Sequence, residues 1–256
     1  MTFETTFVLA AAFGAGFIDA MAGGGGLVQL PALFAAYPNA PHTTLLGTGK
    51  LAGLAGTSSA IARFIRHVRI DWALVLPAAA GAFLASLAGA WIATVISPER
   101  FRTLVPALLA VVLAYTLLHR DLGREHRPRN HGRHGRWLAA ASAGAIGLYD
   151  GFFGPGTGSF LVFLFVRVFG LDFLHASASA KIVNASTNVA AIILFGLTGE
   201  LYWLLGLAMS ACNVAGAQFG SHLAIRRGSG LVRKVFLAVV GSLIAKTAWD
   251  ALRLHL

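Results

Sequence analysis

The sequence predicts an all-α integral membrane protein made of two homologous halves, with eight to ten helical segments. Three observations carry this prediction: charged residues are scarce, long apolar runs alternate with short polar stretches, and one motif occurs twice. Charged residues make up 12% of the 256 residues and hydrophobic residues 57%, whereas a soluble domain has about 25% charged residues. A single soluble core of this size cannot bury so much apolar surface. A soluble fold is therefore excluded.

Seven apolar runs have the composition of membrane-spanning helices, since about 20 residues cross a bilayer core of roughly 30 Å. In chain order they are Phe7–Ala22, Trp72–Ile96, Phe101–Leu118, Trp137–Leu148, Ile182–Leu197, Trp203–Ala224 and Leu231–Ala251. Two shorter runs, Leu27–Ala36 and Phe160–Phe169, follow glycine-rich breaks and would measure only about 15 Å as helices. These two runs predict broken or re-entrant half-helices.

A repeated motif divides the chain. GFIDAMAGGGG starts at Gly16 and GLYDGFFGPGT starts at Gly147, and the two align without a gap at an offset of 131 positions. The same offset relates Asp19 to Asp150, Lys50 to Lys181, and Trp72 to Trp203. We therefore expect a first membrane repeat at 1–125, a basic linker at 126–136 and a second repeat at 137–256.

Loop charges predict how the two repeats are oriented. Basic clusters at 63–69, 120–136 and 226–234 lie beside apolar runs, and such clusters favour the cytoplasmic side. Both termini then lie outside, and corresponding loops of the two halves lie on opposite sides of the membrane. The halves would form an inverted repeat, which is a common transporter plan. The net charge of +10 thus indicates topology and contact with anionic lipid rather than nucleic-acid binding.

The stretch GTGK at 47–50 resembles the end of a phosphate-binding loop, but two fixed positions differ. Such a loop requires a glycine where this chain has Thr44, and a serine or threonine where it has Leu51. The sequence therefore does not predict a nucleotide site.

Two lysines lie inside apolar segments and predict an anion site. A charge at the centre of a membrane helix costs roughly 2.5–3.5 kcal/mol, so such residues usually face a cavity and serve function. The alternative is a lysine side chain that reaches the membrane surface. Because Lys50 and Lys181 hold equivalent positions of an inverted repeat, we expect both at one site near the membrane midplane.

The residues around the lysines are small or polar, and the glycine breaks expose backbone N–H groups at helix starts, where anions bind readily. Tight helix packing is the alternative reason for the glycines. The predicted anion-binding residues are Lys50, Lys181, Gly25, Gly26, Thr48, Gly156, Thr157, Asn184 and Asn188, with Gln29 and Thr57 as further candidates.

Asp19 and Asp150 are the acidic partners, each just before a glycine break. They could pair with the lysines, cap the breaks, or take up a proton or sodium ion as coupling groups. The residues alone leave these alternatives open.

The paired motifs GFIDAMAGGGG…LGTGKLAG and GLYDGFFGPGTGSF…ASAKIVNASTN resemble those of the TauE/SafE family, also called the toluenesulfonate uptake permease family. The resemblance covers nearly the whole chain. It implies a multi-pass transporter of the bacterial inner membrane that moves sulfur-containing anions such as sulfite, sulfoacetate or related sulfonates. Many family members have Asn where this chain has Gly49, so the resemblance does not name the substrate.

A carrier of such anions is the predicted function, and a passive anion channel is the first alternative. A membrane enzyme or sulfur-relay component is the second, and it would need a nucleophile, a metal set or a cofactor pocket. Cys212 is typical of a small buried side chain, and His126, His131 and His134 lie in the basic linker. No cofactor, metal or nucleic-acid partner is predicted. An oligomer is compatible with the sequence.

Overall fold

The computed structural model describes residues 2–97, 132–199 and 201–253, and the regular structure in these ranges is entirely helical. The described residues form eight helices: α1 (Phe3–Ala22), α2 (Gly26–Ala36), α3 (His42–Phe64), α4 (Trp72–Val95), α5 (Gly132–Phe152), α6 (Thr157–Arg167), α7 (Phe173–Leu197) and α8 (Trp203–Arg253). The predicted apolar run Phe101–Leu118 and residues 126–131 of the predicted linker lie outside these ranges. Residues 132–136 belong to α5.

Helix lengths divide the described helices into long and short ones. Among them, α1, α4 and α7 are long and apolar enough to cross a membrane. Helices α2 and α6 have 11 residues each, roughly 16 Å of helix, which is about half a bilayer core. The short helices predicted after the glycine breaks are therefore present.

Helix bounds recur along the chain. Helices α2, α3 and α4 each begin 131 positions before α6, α7 and α8, respectively, and α2 also ends 131 positions before α6. The starts of these helices thus share the 131-residue offset of the sequence motif.

Two glycine-rich breaks separate α1 from α2 and α5 from α6. Gly23 has a φ of +74° and Gly154 a φ of +95°, in the left-handed region that glycine adopts without a Cβ clash. The Gly23 N–H still bonds to the Asp19 carbonyl at 2.9 Å, and the chain then leaves the helix. The breaks place the aspartate of each preceding helix beside the start of a short helix.

Close packing of α4 on α5 and of α1 on α8 depends on glycine. A Cβ at Gly147 would overlap the carbonyl of Ala82, and a Cβ at Gly16 would overlap the carbonyl of Asn213. The two contacts are equivalent under the 131-residue offset. Small residues let helix backbones approach closely where lipid provides no hydrophobic driving force.

Large apolar side chains cover the outer surface. On α4, Leu84 is 68% exposed and Trp91 is 58% exposed, and lipid is the solvent in which such a surface is stable. Trp72 and Trp91 stand near opposite ends of α4, about 28 Å apart along the helix. Tryptophan is enriched at the two membrane–water interfaces, so α4 has the anchors of a spanning helix.

Helix α8 is interrupted at Gly228, whose backbone is not helical (φ 66°, ψ −167°). This interruption falls between the predicted runs Trp203–Ala224 and Leu231–Ala251. The structure therefore joins two predicted segments into one element with a break at the boundary.

Candidate functional site

Two buried ion pairs connect α3 with α5 and α7 with α1. The Lys50 Nζ lies 2.5 Å from Asp150 Oδ2, and the Lys181 Nζ lies 3.5 Å from Asp19 Oδ2. Lys181 also donates a hydrogen bond to the Asp19 backbone carbonyl. The 131-residue offset converts one pair into the other. The pairs are crossed, because each lysine binds the aspartate of the other part of the chain.

Neither lysine reaches the surface of the described structure. Each is the ninth residue of its helix, and Lys50 and Lys181 are only 8% and 3% exposed. Each aspartate lies in the last turn of its helix, directly before a glycine break. The ammonium groups are thus held in the interior by carboxylates and do not extend to a membrane edge.

A cavity of about 70 Å³ lies where the two glycine breaks meet α3, α7 and α8. Lys50, Asp150 and Asp19 are the charged residues in the described part of its wall. Seven of the nine predicted anion-binding residues line it: Lys50, Gly25, Gly26, Gly156, Thr157, Asn184 and Asn188. The further candidates Gln29 and Thr57 line it as well.

Several backbone N–H groups at the two breaks have no hydrogen-bond partner among the described residues. In the described part of the chain, the N–H groups of Gly24, Gly25, Gly26, Gly156 and Gly158 have no hydrogen-bond acceptor. All five residues line the cavity, and they stand at the starts of α2 and α6. The first N–H groups of a helix have no acceptor within it and carry partial positive charge. The breaks thus supply donors beside the cavity.

Amide side chains of α2, α7 and α8 form another part of the wall. Gln29 Nε2 donates to the Gly49 carbonyl at 2.8 Å, and Gln29 Oε1 accepts from Asn213 Nδ2 at 2.8 Å. Asn184 Oδ1 accepts a long bond of 3.4 Å from Asn188 Nδ2. The amide oxygens of Gln29 and Asn184 are therefore used within the wall. The Asn184 NH₂ group has no acceptor among the described residues.

The remaining charge at the site is balanced. Thr57 donates to Asp19 Oδ2 at 3.2 Å, and Lys181 lies behind Asp19 without lining the cavity. Two lysines and two aspartates therefore give a formally neutral site. The N–H and NH₂ groups that have no acceptor among the described residues favour a ligand that carries acceptor oxygens.

The structure places two predicted anion-binding residues outside the cavity wall. Thr48 donates to the Thr44 carbonyl at 2.7 Å and accepts the Tyr202 N–H at 3.0 Å, so it ties α3 to the start of α8. Lys181 contacts the site only through Asp19. Thr48 therefore has a structural role here, and Lys181 holds an acid of the site in place.

Asn213 is a wall residue that the sequence analysis missed. It is 3% exposed and lies on α8 among apolar neighbours. A buried polar residue within an apolar membrane segment is itself a signal of a functional site, and that signal could have identified it.

Comparison with known proteins identifies the family. The model of the family described as "Sulfite exporter TauE/SafE" matches residues 8–247. The chain belongs to the TauE/SafE family. As a TauE/SafE protein it is 36% identical over 237 residues to "Probable membrane transporter protein YfcA" of Escherichia coli (strain K12), covering 93% of this chain and 87% of that one. No solved structure matches this chain.

Two further TauE/SafE relatives have similar names. "Probable membrane transporter protein ORF9" of Sinorhizobium sp is 35% identical over 234 residues, covering 91% of this chain and 88% of that one. A "Probable membrane transporter protein" of Haemophilus influenzae (strain ATCC 51907 / DSM 11121 / KW20 / Rd) is 33% identical over 242 residues, covering 93% and 92%. The chain is therefore a membrane transporter of the TauE/SafE family, and the names of its relatives are consistent with a protein that is not an enzyme.

Proposed function

We propose that this transporter moves small sulfur-containing oxyanions, namely sulfite, sulfoacetate or related sulfonates, and binds them in the cavity beside Lys50. The observation that carries the proposal is the set of unpaired hydrogen-bond donors on residues that line the cavity. The unpaired N–H groups of the glycine breaks and the Asn184 NH₂ group face no acceptor in the described structure. A sulfite or sulfonate group offers several acceptor oxygens and no N–H donor of its own.

Size supports an oxyanion as the ligand. A dry cavity of about 150 Å³ accepts benzene, and a water molecule occupies about 30 Å³ of liquid. The observed volume of about 70 Å³ suits a group of a few heavy atoms, such as one –SO₃ unit. A longer organic sulfonate would place this unit in the cavity and its carbon chain outside it.

The predicted inverted repeat is part of the same proposal. It is supported by the shared 131-residue offset of the helix starts, by the equivalent glycine contacts of α1 with α8 and α5 with α4, and by the crossed ion pairs. The ends of the predicted repeats, 1–125 and 137–256, differ by this offset (256 − 125 = 131). Two repeats of opposite orientation would bring a pair of distant helices to one site at the midplane, as in other transporters.

Orientation in the bacterial inner membrane is likewise proposed from charge. Arg63 at the end of α3 hydrogen-bonds Gln218 and His222 of α8. The basic residues that follow Arg63 and those at 226–227 therefore lie at the same end of the protein. The positive-inside rule assigns this end to the cytoplasm, together with the basic linker, and both termini to the outside.

The experiment that tests the function measures binding and flux with one panel of anions. We expect at least one of sulfite, thiosulfate, sulfate, sulfoacetate and taurine to raise the melting temperature of the purified protein and to enter proteoliposomes with saturation and counterflow. Lys50→Ala should abolish both responses, whereas Arg66→Ala, a matched removal of an exposed cation on the same stretch of chain, should keep them. Single-channel currents would establish a channel instead. No response to any anion of the panel would overturn the proposal.

A further inference from the structure

The two acids of the site have different surroundings. Asp150 is 1% exposed, and among the described residues its carboxylate accepts a hydrogen bond from Lys50 alone. The Asp19 side chain is 18% exposed and keeps two partners, the Thr57 hydroxyl and Lys181, neither of which is needed by a ligand at Lys50. An anion that binds the Lys50 ammonium therefore places a second negative group beside Asp150 at its one described partner, and it leaves the two partners of Asp19 in place.

We propose that Asp150 binds one proton each time an anion binds at Lys50, so that the protein carries the anion and the proton together. The proposal rests on the proposed function. Without the proton, two negative groups would compete for one ammonium in a buried site, and in such arrangements one carboxyl group retains a proton. A buried Asp150 carboxylate that stays ionised without a positive partner would be strongly unfavourable in free energy.

The other titratable groups described near Asp150 do not offset the negative charge that the anion adds. Lys50 on α3 is the ammonium that the anion takes, and Asp19 on α1 is already paired with Lys181 on α7. On α5 itself, the Tyr149 hydroxyl donates to the Pro155 carbonyl at 2.5 Å. Helices α2, α4, α6 and α8 add no titratable side chain to the wall within the described residues.

The step balances in atoms and charge. The proton comes from the aqueous phase and forms an O–H bond on the Asp150 carboxylate, while Lys50 stays protonated and shifts an N–H donor from Asp150 to an anion oxygen. When the anion leaves, Lys50 returns to Asp150 and the proton is released on that side. A monovalent anion then crosses with no net charge, and a pH gradient rather than the membrane potential drives it.

The test is a proton count in the purified full-length protein. Methanesulfonate, thiosulfate and sulfate keep their charge near neutral pH, and each is titrated calorimetrically in two buffers of different ionisation enthalpy. We expect uptake of about one proton per bound anion. The affinity should then fall about tenfold for each unit by which the pH rises, over the pH range in which a full proton is taken up. Asp150→Asn should bind the anion with no proton uptake and no pH dependence. Asp19→Asn is the matched control, in which proton uptake per bound anion should persist.

Each outcome decides a different claim. An anion that binds to wild type without proton uptake overturns the proton step and leaves the proposed function standing. Proton uptake that is lost in Asp19→Asn and kept in Asp150→Asn overturns the assignment to Asp150. If neither these three anions nor any anion of the wider panel binds, the proposed function is overturned, and the proton step with it. The wild-type measurement does not depend on whether either variant folds.

Discussion

Removing one member of the Lys50–Asp150 pair should destabilise the protein far more than removing both. Lys50→Met leaves a carboxylate that is 1% exposed without its partner at 2.5 Å, and Asp150→Asn leaves an ammonium that is 8% exposed without its counter-charge. Breaking a buried pair costs about 3–5 kcal/mol, whereas replacing both partners is often nearly neutral. We expect the double variant Lys50→Met/Asp150→Asn to recover most of the stability that either single variant loses.

The single cysteine provides the assay. Cys212 is partly buried, so a thiol-reactive fluorescent dye reports unfolding of the purified protein in detergent on heating. For a chain of this size 1 kcal/mol corresponds to about 2–4 °C, so each single variant should melt about 6–20 °C below wild type. Arg66→Met, at an exposed cation, is the control and should change the stability by less than about 0.5 kcal/mol. A double variant as unstable as the single variants would refute the reasoning, because the loss would then come from packing.

The same double variant separates the anion site from the fold. It should be folded yet fail to bind any anion of the panel, because the Lys50 ammonium is gone. A stable double variant with wild-type affinity would show that the anion binds elsewhere.

Three further variants test which residues belong to the cavity wall, in calorimetric binding and thermal melting. Gly154→Ala should lower both anion affinity and stability, because the residue has a φ of +95° and an added Cβ would lie 2.8 Å from the Lys50 Nζ. Gly53→Ala is the matched control, since the nearest atom to its added Cβ would be 3.8 Å away. Asn184→Ala should weaken anion binding by roughly tenfold, since it removes an unpaired donor from the wall. Thr48→Ala should lower stability by about 1 kcal/mol and leave affinity unchanged, and lost affinity with unchanged stability would return Thr48 to the site.

Much of the site could be predicted from the sequence because the repeat marks equivalent positions. The offset links the two lysines and the two aspartates, and the glycine breaks mark the short helices. Helical geometry explains why Thr48 lies outside the cavity wall: successive residues turn by about 100°, so Thr48 and Lys50, two positions apart, face nearly opposite sides of α3. Thr57, seven positions after Lys50, returns to the same face and lines the cavity.

Which lysine would hold which aspartate could not be predicted, because that choice depends on tertiary packing. Pairs within one part of the chain would be 31 residues apart (50 − 19 and 181 − 150), whereas the observed crossed pairs are 100 and 162 residues apart, and sequence separation alone does not decide which pairs form. The crossing follows from how the two breaks approach each other: the Ser159 hydroxyl of α6 donates to the Gly23 carbonyl at 3.2 Å, so each break lies against the other. No local pattern in the sequence encodes this contact between distant segments.

The crossed ion pairs give the proposed anion binding a physical link to the packing of the N-terminal helices on the C-terminal ones. Lys50–Asp150 ties α3 to α5, and Lys181–Asp19 ties α7 to α1, so both ties join the N-terminal helices to the C-terminal ones at the cavity. A ligand shifts a conformational equilibrium only by binding one state better than another. An anion bound to the Lys50 ammonium would bind more tightly to states in which the 2.5 Å Lys50–Asp150 ion pair is broken, and it would therefore favour those states. The second ion pair, at 3.5 Å between side chains, does not involve Lys50 and still joins α7 to α1 in such states.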